Sequence, residues 1–156
     1  MNVELHLSSV NELSKRRFQR VHMAVPVTIG ERTMRSIDWS VGGVRLPHIF
    51  PGIDPWRGVA DISIPLDQFL FTFRLTLEHV HASQEHGYAG YRFVDASEEQ
   101  LDLLRALVIS VVTDGCFELD SIIQDPFVRN ALAKASRDGQ SIHPHEGFAI
   151  TKRDRQ

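Results

Sequence analysis

The sequence is poor in cysteine and in long apolar runs. Cys116 is the single cysteine among 156 residues, which excludes an internal disulfide and a cysteine-based zinc site within one chain, and fits a reducing compartment. The most apolar stretch, residues 103–112, contains Arg105 and is far shorter than the roughly 20 residues that span a bilayer. Residues 1–14 lack a basic stretch followed by an apolar run, which argues against a secretory signal. We expect a soluble, cytoplasmic protein without a transmembrane segment.

An excess of positive charge is also missing. The chain has 17 Lys and Arg against 20 Asp and Glu, a formal net charge of −3, so bulk attraction for DNA or RNA is not expected. Four basic residues are nevertheless concentrated in residues 15–20, which read KRRFQR. The composition, with 42% hydrophobic and 24% charged residues, is typical of a globular domain. The charge pattern favours a small anion at one place over a long nucleic acid.

The region before residue 95 has the patterns of β-strands. Residues 69–77 alternate strictly between apolar and polar side chains, as in a strand with one buried face. Residues 38–43 (DWSVGG) break the strand pattern, and their two glycines permit positive φ and a close backbone approach. Six strands are predicted, at residues 22–29, 32–37, 44–46, 59–64, 69–80 and 88–94. Turn signals without intervening helices predict a mainly β fold, a small six-stranded antiparallel β-barrel.

The pattern changes to helical after Asp95. Ser97 and Gln100 have the spacing of a capping box, and apolar residues with helical spacing follow over 101–112. Asp125 and Pro126 predict the start of a second helix over 127–135. We divide the chain into a flexible arm at 1–14, a barrel domain at 15–97, a C-terminal helical extension at 98–139, and a polar, poorly ordered tail at 140–156. The apolar stripe of the first helix is expected to cover the barrel, with homodimer formation as the alternative.

Two short motifs suggest a binding site. The first is Arg16-x-x-x-Arg20, and the second is Asp38-x-Ser40-x-x-Gly43. One predicted hairpin separates them and can bring the second beside the first. Arginine forms bidentate hydrogen bonds with phosphate or with guanine O6 and N7, and it stacks on aromatic rings. Asp38 can accept from guanine N1–H and N2–H, Ser40 offers a hydroxyl, and Gly43 lets backbone amides approach a ligand, so the set suits a guanine nucleotide.

In this order and spacing, the two motifs resemble those of the PilZ domain, the bacterial receptor module for cyclic di-GMP. The resemblance covers roughly residues 15–97, including a GYRFVD segment at 90–95 similar to the last strand of the family. It implies a six-stranded barrel on which a flexible arginine segment folds over the ligand. The residues that it implies as ligand contacts are Arg16, Arg20, Asp38, Ser40 and Gly43. Arg17 could assist, and Arg92 lies where some PilZ domains of alginate synthesis have another ligand-binding arginine.

Plainer interpretations exist for each of these features. The arginines can be a solvated surface charge cluster, Asp38 and Ser40 an ordinary turn at a strand end, and Arg92 a strand-surface residue. Histidines at 79, 81, 143 and 145, with Glu146, are weak evidence for a metal, and we predict none. No nucleophile elbow, metal-hydrolase motif or P-loop is present in the sequence, so we predict that the protein is not an enzyme and needs no catalytic cofactor.

The sequence thus predicts a cyclic di-GMP receptor whose N-terminal segment changes conformation on ligand binding. The change would be passed to an unknown protein partner in exopolysaccharide synthesis, motility or virulence. A ligand-independent adaptor with a PilZ-like fold is the main alternative. A small RNA-binding barrel that uses the same arginines is a third.

Overall fold

The computed structural model describes residues 19–47, 57–83, 85–116 and 118–153. Arg16, Arg17 and the predicted arm at 1–14 lie outside the described residues. Nine strands are present in these ranges: β1 (Pro26–Ile29), β2 (Arg32–Arg35), β3 (Asp38–Trp39), β4 (Gly43–Pro47), β5 (Arg57–Leu66), β6 (Phe69–Ser83), β7 (Tyr88–Val94), β8 (Ile142–His145) and β9 (Phe148–Lys152). Three helices accompany them: α1 (Glu98–Val112), α2 (Leu119–Ile122) and α3 (Pro126–Asp138).

All strand pairs of the sheet are antiparallel in the described ranges, and the order is β2-β1-β5-β6-β7-β4-β3. The predicted mainly β, antiparallel class is confirmed. The predicted closed barrel of six strands is wrong, because the described sheet has nine strands and its order ends at β2 and β3 without closing. One added strand is β3, which forms where residues 38–43 were expected only to break the pattern.

The long strand β6 organises the sheet. One edge pairs with β5 over ten residue pairs, from Arg57 opposite Glu78 to Leu66 opposite Phe69. The other edge has two partners, because β9 pairs with its first five residues and β7 pairs with residues 76–83. The alternation predicted for β6 is confirmed, since its apolar residues at 69, 71, 73, 75 and 77 are all buried.

Residues 142–152 correct the prediction of a poorly ordered tail. They form the β8–β9 hairpin, and Phe148 and Ile150 of β9 are buried in the core. Their apolar positions are few and lie among polar residues, so the local pattern is too weak to predict a strand. The free edge of β6 provides the backbone hydrogen-bond partners that make residues 148–152 a strand, and β8 pairs with β9 in turn.

The helices pack on the sheet in one continuous core. The predicted capping box is confirmed, because Ser97 accepts a hydrogen bond from the Gln100 amide and the Gln100 side chain accepts one from the Ser97 amide. The predicted second helix is confirmed as α3, with Asp125 as N-cap and Gly139 in the left-handed conformation at its C-terminus. Leu104 and Leu107 of α1 belong to the same buried cluster as the sheet residues. No helix in the described ranges is long and apolar enough to cross a membrane.

Candidate ligand-binding site

The second motif forms a tight turn between β3 and β4. The Ser40 amide donates to the Gly43 carbonyl oxygen at 2.8 Å. The Ser40 hydroxyl oxygen accepts from the amides of Gly42 and Gly43 at 3.1 and 3.2 Å. The predicted turn is therefore present, and the Ser40 hydroxyl oxygen is one of the groups that hold it. The hydroxyl proton of Ser40 is not used by these two bonds.

The first motif reaches this turn through its last residue. Val21 and Trp39 form an isolated antiparallel bridge, with N–H to O distances of 2.7 and 3.1 Å. The bridge fixes Arg20 beside the β3–β4 turn. Arg20, Asp38, Ser40 and Gly43 consequently line one cavity of about 140 Å³. The structure thus brings together four of the predicted site residues, one from the first motif and three from the second.

The cavity is small compared with the 300–1,000 Å³ typical of pockets for small molecules. These four residues can therefore contact only part of a cyclic dinucleotide. Trp39 also lines the cavity, is almost fully buried, and has an indole nitrogen without a hydrogen-bond partner among the described residues. A cyclic dinucleotide therefore needs further contacts from chain segments outside this cavity.

Asp38 is paired with an arginine that the motif analysis missed. The Arg45 Nε atom donates to Asp38 Oδ1 at 2.8 Å, and Arg45 Nη2 donates to Asp38 Oδ2. The Asp38 side chain is only 2% exposed, and that of Arg45 is 20% exposed. The hydrogen bond with Asp38 raises the pKa of Arg45 above its ordinary value. The sequence signal was the opposite charge at two positions that face each other across the β3–β4 pair.

Gly43 is required by the packing of two strands. Neither Gly42 nor Gly43 has a positive φ, so the conformational freedom expected of them is not used. A Cβ atom at Gly43 would overlap the carbonyl oxygen of Tyr91 on β7. The close backbone approach predicted at Gly43 is present, but it is made to β7, the neighbouring strand of the sheet.

His81 and Tyr91 complete the cavity lining, and Tyr88 packs against His81 and Arg45. A β-bulge in β6 lies between His79 and His81, and the His81 ring packs over Gly90, where a Cβ atom would lie 2.6 Å from it. His81 and Tyr91 line the cavity. The centres of the Tyr88 and His81 rings lie 5.7 Å apart. The guanidinium carbon of Arg45 lies over the Tyr88 ring, 4.7 Å from its centre. Burial raises the pKa of Tyr91.

Arg92 is not brought into this cavity. It lies on β7 opposite Gly43 and on the same face as Gly90, but it does not line the cavity. Its guanidinium forms an ion pair with Glu78 on β6. Arg16 and Arg17 lie outside the described residues, and their predicted roles stay predictions.

The histidines do not converge on a metal site in the described ranges. No group of three or more His, Cys, Asp or Glu side chains there has the geometry to hold a metal ion. The bulge at Val80 interrupts the regular alternation between His79 and His81. His145 instead forms a 2.7 Å hydrogen bond with Asp125, the N-cap of α3.

Comparisons with known proteins find a distant structural neighbour. No protein-family model matches the chain, and no curated protein matches it. The fold is similar to that of the Bacillus subtilis inhibitor of motility (MotI/DgrA), with a TM-score of 0.49 and 14% sequence identity. The match covers 64% of this chain and 52% of that chain, so it spans about half of the neighbour's length.

Proposed function

We propose that the protein is a non-enzymatic receptor for cyclic di-GMP. The observation that carries the proposal is the cavity at the β3–β4 turn, where Arg20 from one motif meets Asp38 and Ser40 from the other. These are the residue types and the order that the resemblance to PilZ domains associates with this ligand. The chain carries both motifs without a departure from their pattern.

The chemistry around the cavity suits a dinucleotide with negative charge and planar bases. Arg20 and Arg45 supply cationic donors, which form their strongest hydrogen bonds with anionic oxygens such as those of phosphate. The imidazole of His81 adds a flat surface at the same rim, and the Tyr88 ring lies beside Arg45 on this face. Arginine and aromatic side chains both stack on nucleobases.

The small size of the cavity suggests how the ligand would act. Residues 15–18, which carry Arg16 and Arg17, immediately precede the described chain, and Val21 is fixed to Trp39. These arginines can close over a ligand seated at the β3–β4 turn and add the contacts that the cavity lacks. Ligand binding would then change the conformation of this segment and the surface offered to a partner.

Isothermal titration calorimetry with cyclic di-GMP tests the receptor function. We expect saturable binding by the wild type, weaker binding by the Arg16→Ala variant, and no change in Arg129→Ala, which alters an exposed arginine on α3. Affinity should fall as salt rises, because the ligand is a dianion. A wild-type protein without saturable binding would refute the receptor function.

A ligand-independent adaptor with a PilZ-like fold is the second candidate. The apolar side chains exposed on α1 and α3, Ile109, Val112 and Phe127, favour a protein contact on the helical side. A partner that is held equally well with and without cyclic di-GMP would support the adaptor.

An RNA-binding role is tested by filter binding, in which an oligonucleotide competes with cyclic di-GMP.

A further inference from the structure

The carboxylate of Asp38 is already engaged on both of its oxygens. Oδ1 accepts from Arg45 Nε and Oδ2 accepts from Arg45 Nη2, so the pair is bidentate. With the side chain 2% exposed, a guanine edge could reach Asp38 only by displacing Arg45. Displacement would break a buried ion pair, which is strongly unfavourable. This geometry disfavours direct reading of a base edge by Asp38.

Arg45 is held from two directions and still faces the cavity. Asp38 binds its Nε–Nη2 edge, and the Tyr88 ring lies 4.7 Å from its guanidinium carbon. The bidentate pair uses two of the five N–H donors of a guanidinium, and its Nη1 edge is not used by Asp38. Arg45 lines the cavity together with Arg20 and Ser40. Such fixed donors lose little conformational freedom when they bind an acceptor.

We propose that Arg45 contacts the ligand and that Asp38 is a positioning residue that acts through it. Arg45 offers its remaining donors to oxygen acceptors of a cyclic dinucleotide, namely a phosphate oxygen or guanine O6. Asp38 fixes the orientation of these donors and keeps the guanidinium over Tyr88. The inference rests on the proposed receptor function and assigns the ligand contact to a residue outside both motifs.

Two variants separate this role from a purely structural one. Arg45→Gln keeps a hydrogen-bond donor for Asp38 but removes the charge and the fork of donors, so it is expected to be less stable than the wild type. Asp38→Val/Arg45→Leu replaces the whole pair by apolar residues, a change that often preserves stability. Arg74→Gln is the matched control, because Arg74 forms the same kind of cross-strand bidentate pair with Asp61 and does not line the cavity.

The variants are compared by thermal unfolding and by calorimetry with cyclic di-GMP. We expect Arg45→Gln and the double variant to remain folded and to bind tenfold to a hundredfold more weakly, by similar amounts. Arg74→Gln should bind like the wild type. Wild-type affinity in a folded Arg45→Gln protein would overturn the role of Arg45 alone, with the receptor function intact.

The size of the loss in the double variant tests Asp38. A double variant that binds much more weakly than Arg45→Gln would show that Asp38 makes its own contact, and it would overturn the positioning role. If Arg45→Gln unfolds, the double variant provides the test. Wild-type affinity in the double variant would rule out a contribution of either residue to ligand binding. A wild-type protein that does not bind cyclic di-GMP would overturn the receptor function and this inference together.

Discussion

Gln100 donates a 2.8 Å hydrogen bond from its side-chain amide to the carbonyl oxygen of Gly147, which joins the first turn of α1 to the β8–β9 hairpin. The same amide donates to the Arg74 carbonyl oxygen of β6 at 2.9 Å. The Gln100 side-chain oxygen closes the capping box with Ser97. One buried side chain therefore connects a helix end, a central strand and the C-terminal hairpin.

Removing this side chain should destabilise the whole fold. Gln100→Ala deletes three hydrogen bonds and leaves two carbonyl oxygens without this partner, so we expect the free energy of unfolding to fall by about 2–3 kcal/mol. Urea denaturation measures the change. Gln124→Ala, at an exposed position, should change it by less than about 0.5 kcal/mol. Equal stability of the two variants would contradict the connecting role of Gln100.

Gly43 should tolerate no side chain. The Gly43→Ala Cβ atom would overlap the Tyr91 carbonyl oxygen, so β4 and β7 must separate, at a cost of about 2 kcal/mol or more. Gly30→Ala is the control, because that Cβ meets nothing within 4 Å and only its positive φ of 61° is strained. Thermal unfolding should show a larger loss of Tm for Gly43→Ala. The reverse order would show that the two strands adjust easily.

Stability should decrease in acid through Asp125. Burial raises the pKa of this carboxyl, but the hydrogen bonds with His145 and with the Phe127 amide outweigh burial, so its pKa is lowered from the ordinary 3.8. A lowered pKa in the folded state contributes stability above about pH 4, and this contribution is lost as the pH falls through the folded-state pKa.

Asp125→Asn removes the titrating group and keeps an oxygen that can cap α3. Urea denaturation between pH 3 and pH 6 should therefore show a smaller acid-dependent loss for Asp125→Asn than for the wild type. Asp125→Ala should lose about 1 kcal/mol at neutral pH, because the N-cap hydrogen bond to Phe127 is gone. Parallel pH profiles of the wild type and Asp125→Asn would contradict the role of Asp125 in the acid-dependent loss of stability.

The two described arginines of the predicted site should differ in ligand binding. Arg20→Ala should weaken cyclic di-GMP binding by tenfold to a hundredfold, which corresponds to about 1.5–3 kcal/mol for a charged hydrogen bond. Arg92→Ala should bind like the wild type, because Arg92 pairs with Glu78 and does not line the cavity. Calorimetry on both variants distinguishes them. A loss of affinity for Arg92→Ala alone would show that the ligand lies beyond the cavity, along the face of β7 that Arg92 shares with Gly90.

Local signals predicted the parts of this protein that local physics decides. The alternation in β6, the capping box at Ser97 and the N-cap at Asp125 depend on residues within a few positions of each other. The motif residues Arg20, Asp38 and Ser40 were also identified from the sequence, and one bridge was enough to bring them together.

Long-range pairing decided the rest. Residues 148–152 become strand β9 because β6 offers them an open edge 75 or more positions earlier in the chain (Phe148 opposite Phe73), and β8 pairs in turn with β9. Arg45 of β4 enters the site because the buried Asp38, opposite it on β3, needs a charged partner. Gly43 is required because the backbone of β7 lies against it. The sequence by itself determined the motif residues and the patterns of β1, β2, β4 to β7, α1 and α3. Only the tertiary structure decided their partners, since burial and strand pairing act between residues far apart in the chain.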